Sequence, residues 1–487
     1  MRKLFFLFFI LCSLKNVAQI NKFEVVDGGI NYNYGQSVQQ TFDGGYIVTG
    51  ATSSIGNGST DVYLFKLDSL GNVKWQKTYG STNVDMGFSV HQTQDSGFII
   101  AGYTNSFGAG GYDFYLIKTD SIGNLQWTKT YGGTDWDFAY SVKQTTDGGY
   151  VIVGGTYSYG KGNEDVYLIK TNATGDTLWT KTYGGSGQDE GRSVWQNTDG
   201  GYFITGFTNS FGAGGLDAYL IRTNSLGDTL WTKTVGDTLD QALYSGQQTS
   251  DGSFISVGYT NTHLNGKDIY IIRSNNNGDT LWTTTRGGTS DDVGYSIIQT
   301  PDGNFACFGY TESFGQGMKD YVFYKVASGN YFLNSRTYGG IYDDIGYCIN
   351  NTKDHGFIMT GQTASYGNGP QNIYTIKTDS NGTATGIILV GVNENGIVSK
   401  NNILAYPNPC SNYCRLTFNY IASEKNISIT LYNTLGEEIE QVNPSILPDS
   451  NGLANVTVAT TNLPSGIYLV KISNGNFIET QKIIVQH

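Results

Sequence analysis

The chain has 487 residues, of which 66 are Gly, 35 Tyr and 7 Pro, and only 14% are charged. Twice the usual glycine with well under the usual ~25% charge excludes a coiled coil and a charge-driven disordered chain, and glycine without a three-residue period excludes collagen. A net charge of −12 argues against nucleic acid and anionic membrane as main partners, because both need a basic footprint.

The chain opens MRKLFFLFFILCSLKNVAQ. Arg2 and Lys3 precede an apolar run, Leu4 to Leu14, too short to span a bilayer, and Ala18 offers a small residue for cleavage. The spacing predicts a secretory signal peptide over residues 1–18 and export to the periplasm. No later run is long and apolar enough for a membrane span. Cys307, Cys348, Cys410 and Cys414 remain, too few for a disulfide framework in so long a chain. Cys307 and Cys348 read as buried thiols; Cys410 and Cys414 could pair locally.

A repeat then organises the chain. Trp75, Trp127, Trp179, Trp231 and Trp282 recur at intervals of 52, 52, 52 and 51 residues. A second marker, a strand ending in glycine, occurs seven times, at Gly50, Gly102, Gly154, Gly206, Gly258, Gly309 and Gly361. One unit holds four strand-like runs: FSVHQT, a hairpin turn at Asp95-Ser96-Gly97, FIIAGYT, a glycine-rich loop, FYLIKT, the turn DSIGN, and LQWTKTY. Four antiparallel strands per unit of this length make a propeller blade. The predicted fold is all-β: a seven-bladed β-propeller over residues 19–380. The fourth strand is missing after the seventh unit, and Lys22 to Gly29 supplies it, with Phe23 at the tryptophan position. Residues near 22–27 are expected to pair with Ile373 to Thr378 and close the ring.

The runs LDSLGNVKWQKTYG and KTDSIGNLQWTKTYGG resemble the tryptophan-docking motifs of quinoprotein-type propellers. The array is similar to repeat propellers of secreted bacterial proteins, a resemblance that implies fold and hardly any function.

Residues 381–402 lose the repeat and read as a linker or a last irregular strand. Residues 403–487 alternate as a small β-sandwich would, and carry Tyr406-Pro407-Asn408-Pro409, a Leu-Tyr-Asn-Thr-Leu-Gly run ending at Gly436, a Pro-Ser-Gly run ending at Gly466, and Lys482 near the end. These segments resemble the type A C-terminal sorting domain of the type IX secretion system of Gram-negative bacteria. The resemblance implies the type IX machinery as a partner and a secreted or outer-surface destination, with the domain removed or the cargo anchored.

No catalytic signature stands out: no H-E-x-x-H, G-x-S-x-G or Walker loop occurs. One repeated polar position, Asn33, Asp85, Asp137, Asp189, Gln241, Asp292 and Asp344, could ring a channel mouth and bind a cation, or cap turns between blades. No cofactor is predicted; calcium is the cation such a ring could take. A second repeated carboxylate, Asp61 to Asp320, suits a bond within the long loop. The long loops carry Phe107, Tyr159, Phe211, Phe314 and Tyr366, aromatic residues suited to stacking on sugar rings or to packing between blades. The favoured function is binding or adhesion to a glycan or protein on the loop face. A polysaccharide hydrolase or lyase would need a non-repeated acid pair, base or metal cluster in one sector, and a purely structural surface protein is the third reading.

Overall fold

The structure is a computed structural model that describes residues 21–262, 266–384, 388–389, 404–406, 410–419, 428–433, 437–442, 453–473 and 478–487. The segment read as a signal peptide, residues 263–265, most of the stretch read as a linker, residues 407–409 and Gly436 lie outside the described residues. The chain divides into two units, Met1–Val392 and Asn393–His487.

In the first unit each repeat is one antiparallel sheet. The second repeat sets the pattern: strands Asp85–Gln92, Phe98–Thr104, Asp113–Thr119 and Leu125–Tyr131 pair in that order. Six sheets are built this way. The seventh takes Asp344–Asn351, Phe357–Thr363 and Asn372–Thr378 from its own repeat and Phe23–Asp27 from the other end of the chain. Phe23 faces Lys377 and Asp27 faces Ile373, so this strand pairs with the segment expected from the sequence. Lys377 in turn occupies the place where Lys118 faces Trp127. The edge beyond Phe23–Asp27 carries the short parallel strand Ile388–Leu389, inside the stretch read as linker.

The repeat marker glycines have a steric cause. Each first strand bulges at its fourth residue, and a Cβ on the facing glycine would fall 1.7–2.1 Å from the carbonyl oxygen of the residue two before the bulge. In the second sheet that oxygen belongs to Met86 and the glycine is Gly102. The bulge also turns its own residue toward the centre of the unit.

Contact between sheets is equally regular. Trp75 lies over Gly123 in the turn of the next sheet, Trp127 over Gly175 and Trp179 over Gly227; Phe23 lies over Gly71 in the same way. Tyr79 donates its hydroxyl to the Gly123 carbonyl at 2.6 Å. The tryptophans are half-buried between sheets rather than deep in the core; the core is the apolar face of the second and third strands, such as Ile99, Phe114 and Ile152. Two hydrogen-bonded chains run from sheet to sheet. The Ser37 hydroxyl accepts from the Val90 amide at 3.3 Å, Ser89 from Val142 at 3.2 Å and Ser296 from Ile349 at 3.3 Å. The Cys348 thiol of the seventh sheet faces the Val38 carbonyl of the first. Gln40 of the first sheet likewise accepts from the Lys353 amide of the seventh at 2.7 Å.

A further repeat was not read from the sequence. The last-but-one residue of every third strand is a cation, Lys66, Lys118, Lys170, Arg222, Arg273, Lys325 or Lys377, buried or nearly so and paired with the aspartate of its own hairpin turn.

The second unit has a three-stranded sheet, Leu404–Tyr406, Tyr413–Asn419 and Leu453–Ala459, and a four-stranded one, Glu438–Val442, Ser428–Asn433, Gly466–Ser473 and Ile478–Val485. Alternate residues of both, among them Leu416, Ile429, Val456, Val470 and Ile483, share one apolar core. Cys410 and Cys414 are buried in it as free thiols. Tyr406, Gly466 and Lys482 lie on its strands.

Candidate ligand-binding face and channel

The long loops after the second strands and the short loops after the fourth strands lie on one face and bond to each other. The Asn83 and Asp135 amides donate to the hydroxyls of Ser106 and Ser158 at 3.2 and 3.1 Å.

The aspartates that open the first strands do not present their carboxylates at a channel mouth. Asp85, Asp137, Asp189, Asp292 and Asp344 are buried beneath these loops. Asp85 accepts from the Thr104 and Ser106 hydroxyls and from the Ser81 amide. Asp137 accepts from Thr156, Ser158 and the Gly133 amide. Ser210, Ser313 and Ser365 serve Asp189, Asp292 and Asp344 in the same way, at 2.5–2.7 Å. Each carboxylate ties the short loop before it to the long loop of its own sheet. The second set works alongside: Asp61 accepts from the Asn57 and Gly58 amides at 2.9 and 3.0 Å, and Asp113 from Ala109. Burial raises the Asp61 and Asp113 carboxyls above their ordinary range. Among the described residues no group of three or more metal-ligating side chains occurs.

The loop aromatics sit at the surface. Phe107, Tyr159, Phe211 and Phe314 are 44–50% exposed, and Tyr366 is half-buried. Each of Phe107, Tyr159, Phe211 and Tyr366 rests one side on the third-strand tyrosine of its own sheet, at 5.4–6.1 Å between centroids. The hydroxyls of Tyr159 and Tyr366 bond the Gly132 and Gly339 carbonyls. These rings are therefore held and partly exposed.

The structure adds a sector without repeats. Of seven tryptophans two fall outside the 52-residue register, Trp136 and Trp195. Trp136 is 54% exposed on the loop face and stands at the end of a continuous aromatic cluster, Tyr112, Phe138, Tyr103 and Phe88. Tyr157, 6.4 Å from Trp136, is exposed too and donates to Glu164 at 3.0 Å. Gln188 donates to the same carboxylate at 2.8 Å. Glu164 lies beside Glu190, and Glu190 pairs with Arg192, whose guanidinium covers the Tyr140 ring at 4.0 Å. Both glutamates are buried. Burial, reinforced by Glu164 against the pull of Arg192, holds the Glu190 carboxyl well above the ordinary range. This is a non-repeated acid pair in one sector. Its sequence signal is residues that break the repeat: Glu164 and Glu190 stand where sister units carry Tyr112 and Phe138.

Residues 404–486 match the family described as secretion system C-terminal sorting domain. The C-terminal unit is a secretion sorting tail. It directs the chain out of the cell through the type IX system expected from its motifs, toward the cell surface or the medium. The chain is similar to regulatory protein FlaEY of Caulobacter vibrioides, 26% identical over 197 residues, 34% of this chain and 21% of that protein. The chain thus spans about a fifth of that relative's length. Among solved structures it is similar to the β-propeller domain of the Trilobed protease from Pyrococcus furiosus (9% identity, TM-score 0.38, covering 74% of this chain and 98% of that one). It is also similar to endo-1,5-α-L-arabinanase from Thermotoga petrophila (11% identity, TM-score 0.29, covering 72% and 100%). Likeness at this level says nothing of activity. No helix among the described residues is long and apolar enough to cross a membrane.

Proposed function

We propose that residues 19–380 form a closed seven-bladed β-propeller, exported by way of the periplasm as cargo of the type IX machinery, and that its loop face binds an extracellular glycan. Residues 381–402 then link it to the sorting domain, 403–487, a β-sandwich. Closure is supported by the bonds that run from the seventh sheet back to the first. The observation that carries the binding reading is the set of held, half-exposed rings on one face, Phe107, Tyr159, Phe211 and Phe314, with Trp136 and Tyr157 beside them. Flat apolar rings among hydroxyls, amides and carboxylates suit the alternating C–H and O–H surfaces of sugars. In this reading Asp85, Asp137, Asp189, Asp292 and Asp344 position the loops that carry the rings, and calcium is not required.

The Glu164–Glu190 pair is the feature that favours a hydrolase instead. Both glutamates are buried, and Arg192, Tyr157 and Gln188 already engage them, so binding is the better reading. A glycan-array screen of the full-length chain, with calcium and with chelator, tests it. A saturable hit that chelator leaves intact supports the reading. Hydrolysis of an array sugar would favour the enzyme, and an array without hits would favour a protein ligand or a structural role.

A further inference from the structure

The central channel is lined by the first strands, and its lining departs from the repeat: Gln36, Phe88, Tyr140, Arg192 and Tyr244 hold the same strand position. On the loop-face side the bulge residues narrow it: Tyr244, Tyr295 and Tyr347 contact one another at 4.8 and 5.1 Å, and Phe88 meets Tyr140 at 5.4 Å. Beneath them is a cavity of about 170 Å³. It shares Gln39, Trp195, Gln247, Ile298 and Asn350 with a wider vestibule of about 640 Å³ at the hairpin turns on the opposite face. No carboxylate lines either space, in a chain of net charge −12.

Two cations reach the cavity. Arg192 has the Glu190 carboxyl as its side-chain partner. Lys143 has no carboxylate partner among the described residues; its ammonium faces the Trp195 ring at 5.7 Å. That sets it apart from Lys66, Lys118, Lys170 and Lys377, each of which has its own aspartate. Burial lowers the Lys143 pKa from its ordinary value, and Cys348 and His91 are ionisable groups that interact with it. Burial, with the Lys143 charge added, lowers His91 to about 4, so it stays neutral at pH 7; burial raises the Cys348 thiol, so it brings no anion. Ser141, two residues before Lys143 and on the same side of the strand, also lines the cavity, and Ser89 does so from the adjacent strand. The Ser89 and Ser141 hydroxyl oxygens accept backbone amides from the next sheets, which leaves their protons free to donate inward.

We propose that this cavity is an oxyanion site, with Lys143 as its counter-charge and Ser89 and Ser141 as donors, entered from the hairpin-turn face. A half-enclosed ammonium without a counter-ion is costly, and an oxyanion removes that cost. The space suits a phosphate, a sulfate or the carboxylate of a single sugar acid. The site lies away from the loop-face rings and stands or falls without them.

Isothermal titration of the full-length chain with sodium sulfate, sodium phosphate and sodium glucuronate, at fixed ionic strength in sodium chloride, tests the site. Saturable one-to-one binding of at least one of the three is expected. Lys143→Gln should weaken it at least tenfold, Lys143→Arg should retain most of it, and Lys353→Gln at the vestibule rim should change it less than threefold. Binding of glucuronate alone would assign a sugar acid; binding of sulfate or phosphate would assign the inorganic ions or their esters. Thermal melting gives a second reading: without anion, Lys143→Gln should melt at or above the unsubstituted chain, which only the latter should exceed when the anion is added. No saturable heat from any of the three, or equal affinity in Lys143→Gln, would overturn the proposal.

Discussion

The Lys118 ammonium lies 2.8 Å from the Asp95 carboxylate and ties the third strand of its sheet to the hairpin turn of the same sheet. The two partners are unequal. The lysine side chain is 4% exposed and the aspartate 56%. Removing the aspartate strands a buried cation; removing the lysine leaves a carboxylate already in water. Asp95→Asn should therefore cost about 3 kcal/mol, and Lys118→Met about 1 kcal/mol. Denaturant unfolding of both variants measures the order. Although burial pulls the other way, the bonds from Lys118, Thr93 and the Gly97 amide hold Asp95 below the ordinary carboxylate range. The stability it contributes is present above that ordinary range and is lost as pH falls through its lowered value.

The hairpin turns differ at one residue. Gly44, Gly148, Gly200, Gly252 and Gly303 have φ of +80° to +84°, and Ser96 and His355 hold the same position at +67° and +64°. A side chain there is strained. Ser96→Gly and His355→Gly should each raise stability by up to about 1 kcal/mol, read as a higher melting temperature. Lower melting in both would show that their side chains matter more than the backbone.

Gly102 is the reverse case. An added Cβ would meet the Met86 carbonyl oxygen at 1.8 Å, and that oxygen belongs to a bulge that cannot retreat without moving the first strand. Gly102→Ala should cost about 3 kcal/mol and lower the melting temperature, while Gly44→Ala, with nothing within 4 Å of the new carbon, should lose only the smaller cost of its positive φ.

The N-terminal strand carries a pH dependence of its own. Glu24 is buried against the Tyr374 hydroxyl, and burial raises its carboxyl to about 7. A raised carboxyl pKa means that the folded chain holds the proton more tightly. Its contribution is greatest at acid pH and is lost as pH rises from about 4.5 through 7. Glu24→Gln, which keeps the bond and removes the charge, should leave the melting temperature unchanged at pH 4.5. At pH 8 it should raise stability by at most about 3 kcal/mol. An equal effect at both values would contradict this account.

What could be read in the sequence, and what could not, follows from repetition. The blades, their order and the pairing of residues near 22–27 with Ile373 to Thr378 were legible because seven copies of one steric problem leave seven copies of the same glycine and a recurring aromatic. The sorting tail was legible from its motifs. The aspartates of the first strands were visible as a column, but their burial was not: a period shows that a residue recurs, and only packing shows where it points. The cation–aspartate pairs were hidden because their partners lie 22 or 23 residues apart, one in a strand and one in a turn. Trp136, Glu164, Glu190 and Lys143 were hidden for the opposite reason. They occur once each, on a scaffold whose strongest signal is what occurs seven times, and their meeting depends on the geometry between sheets.

The central claim is that the loop face of the first unit binds a glycan through its partly exposed aromatic rings. The most direct test is calorimetric titration of the best array sugar into the full-length chain and into Trp136→Ala, Tyr157→Ala, Phe107→Ala and Phe211→Ala, each first shown to melt within a few degrees of the unsubstituted chain. The account predicts at least a tenfold loss of affinity in one or more neighbouring positions of this set. Unchanged affinity in all four would contradict it.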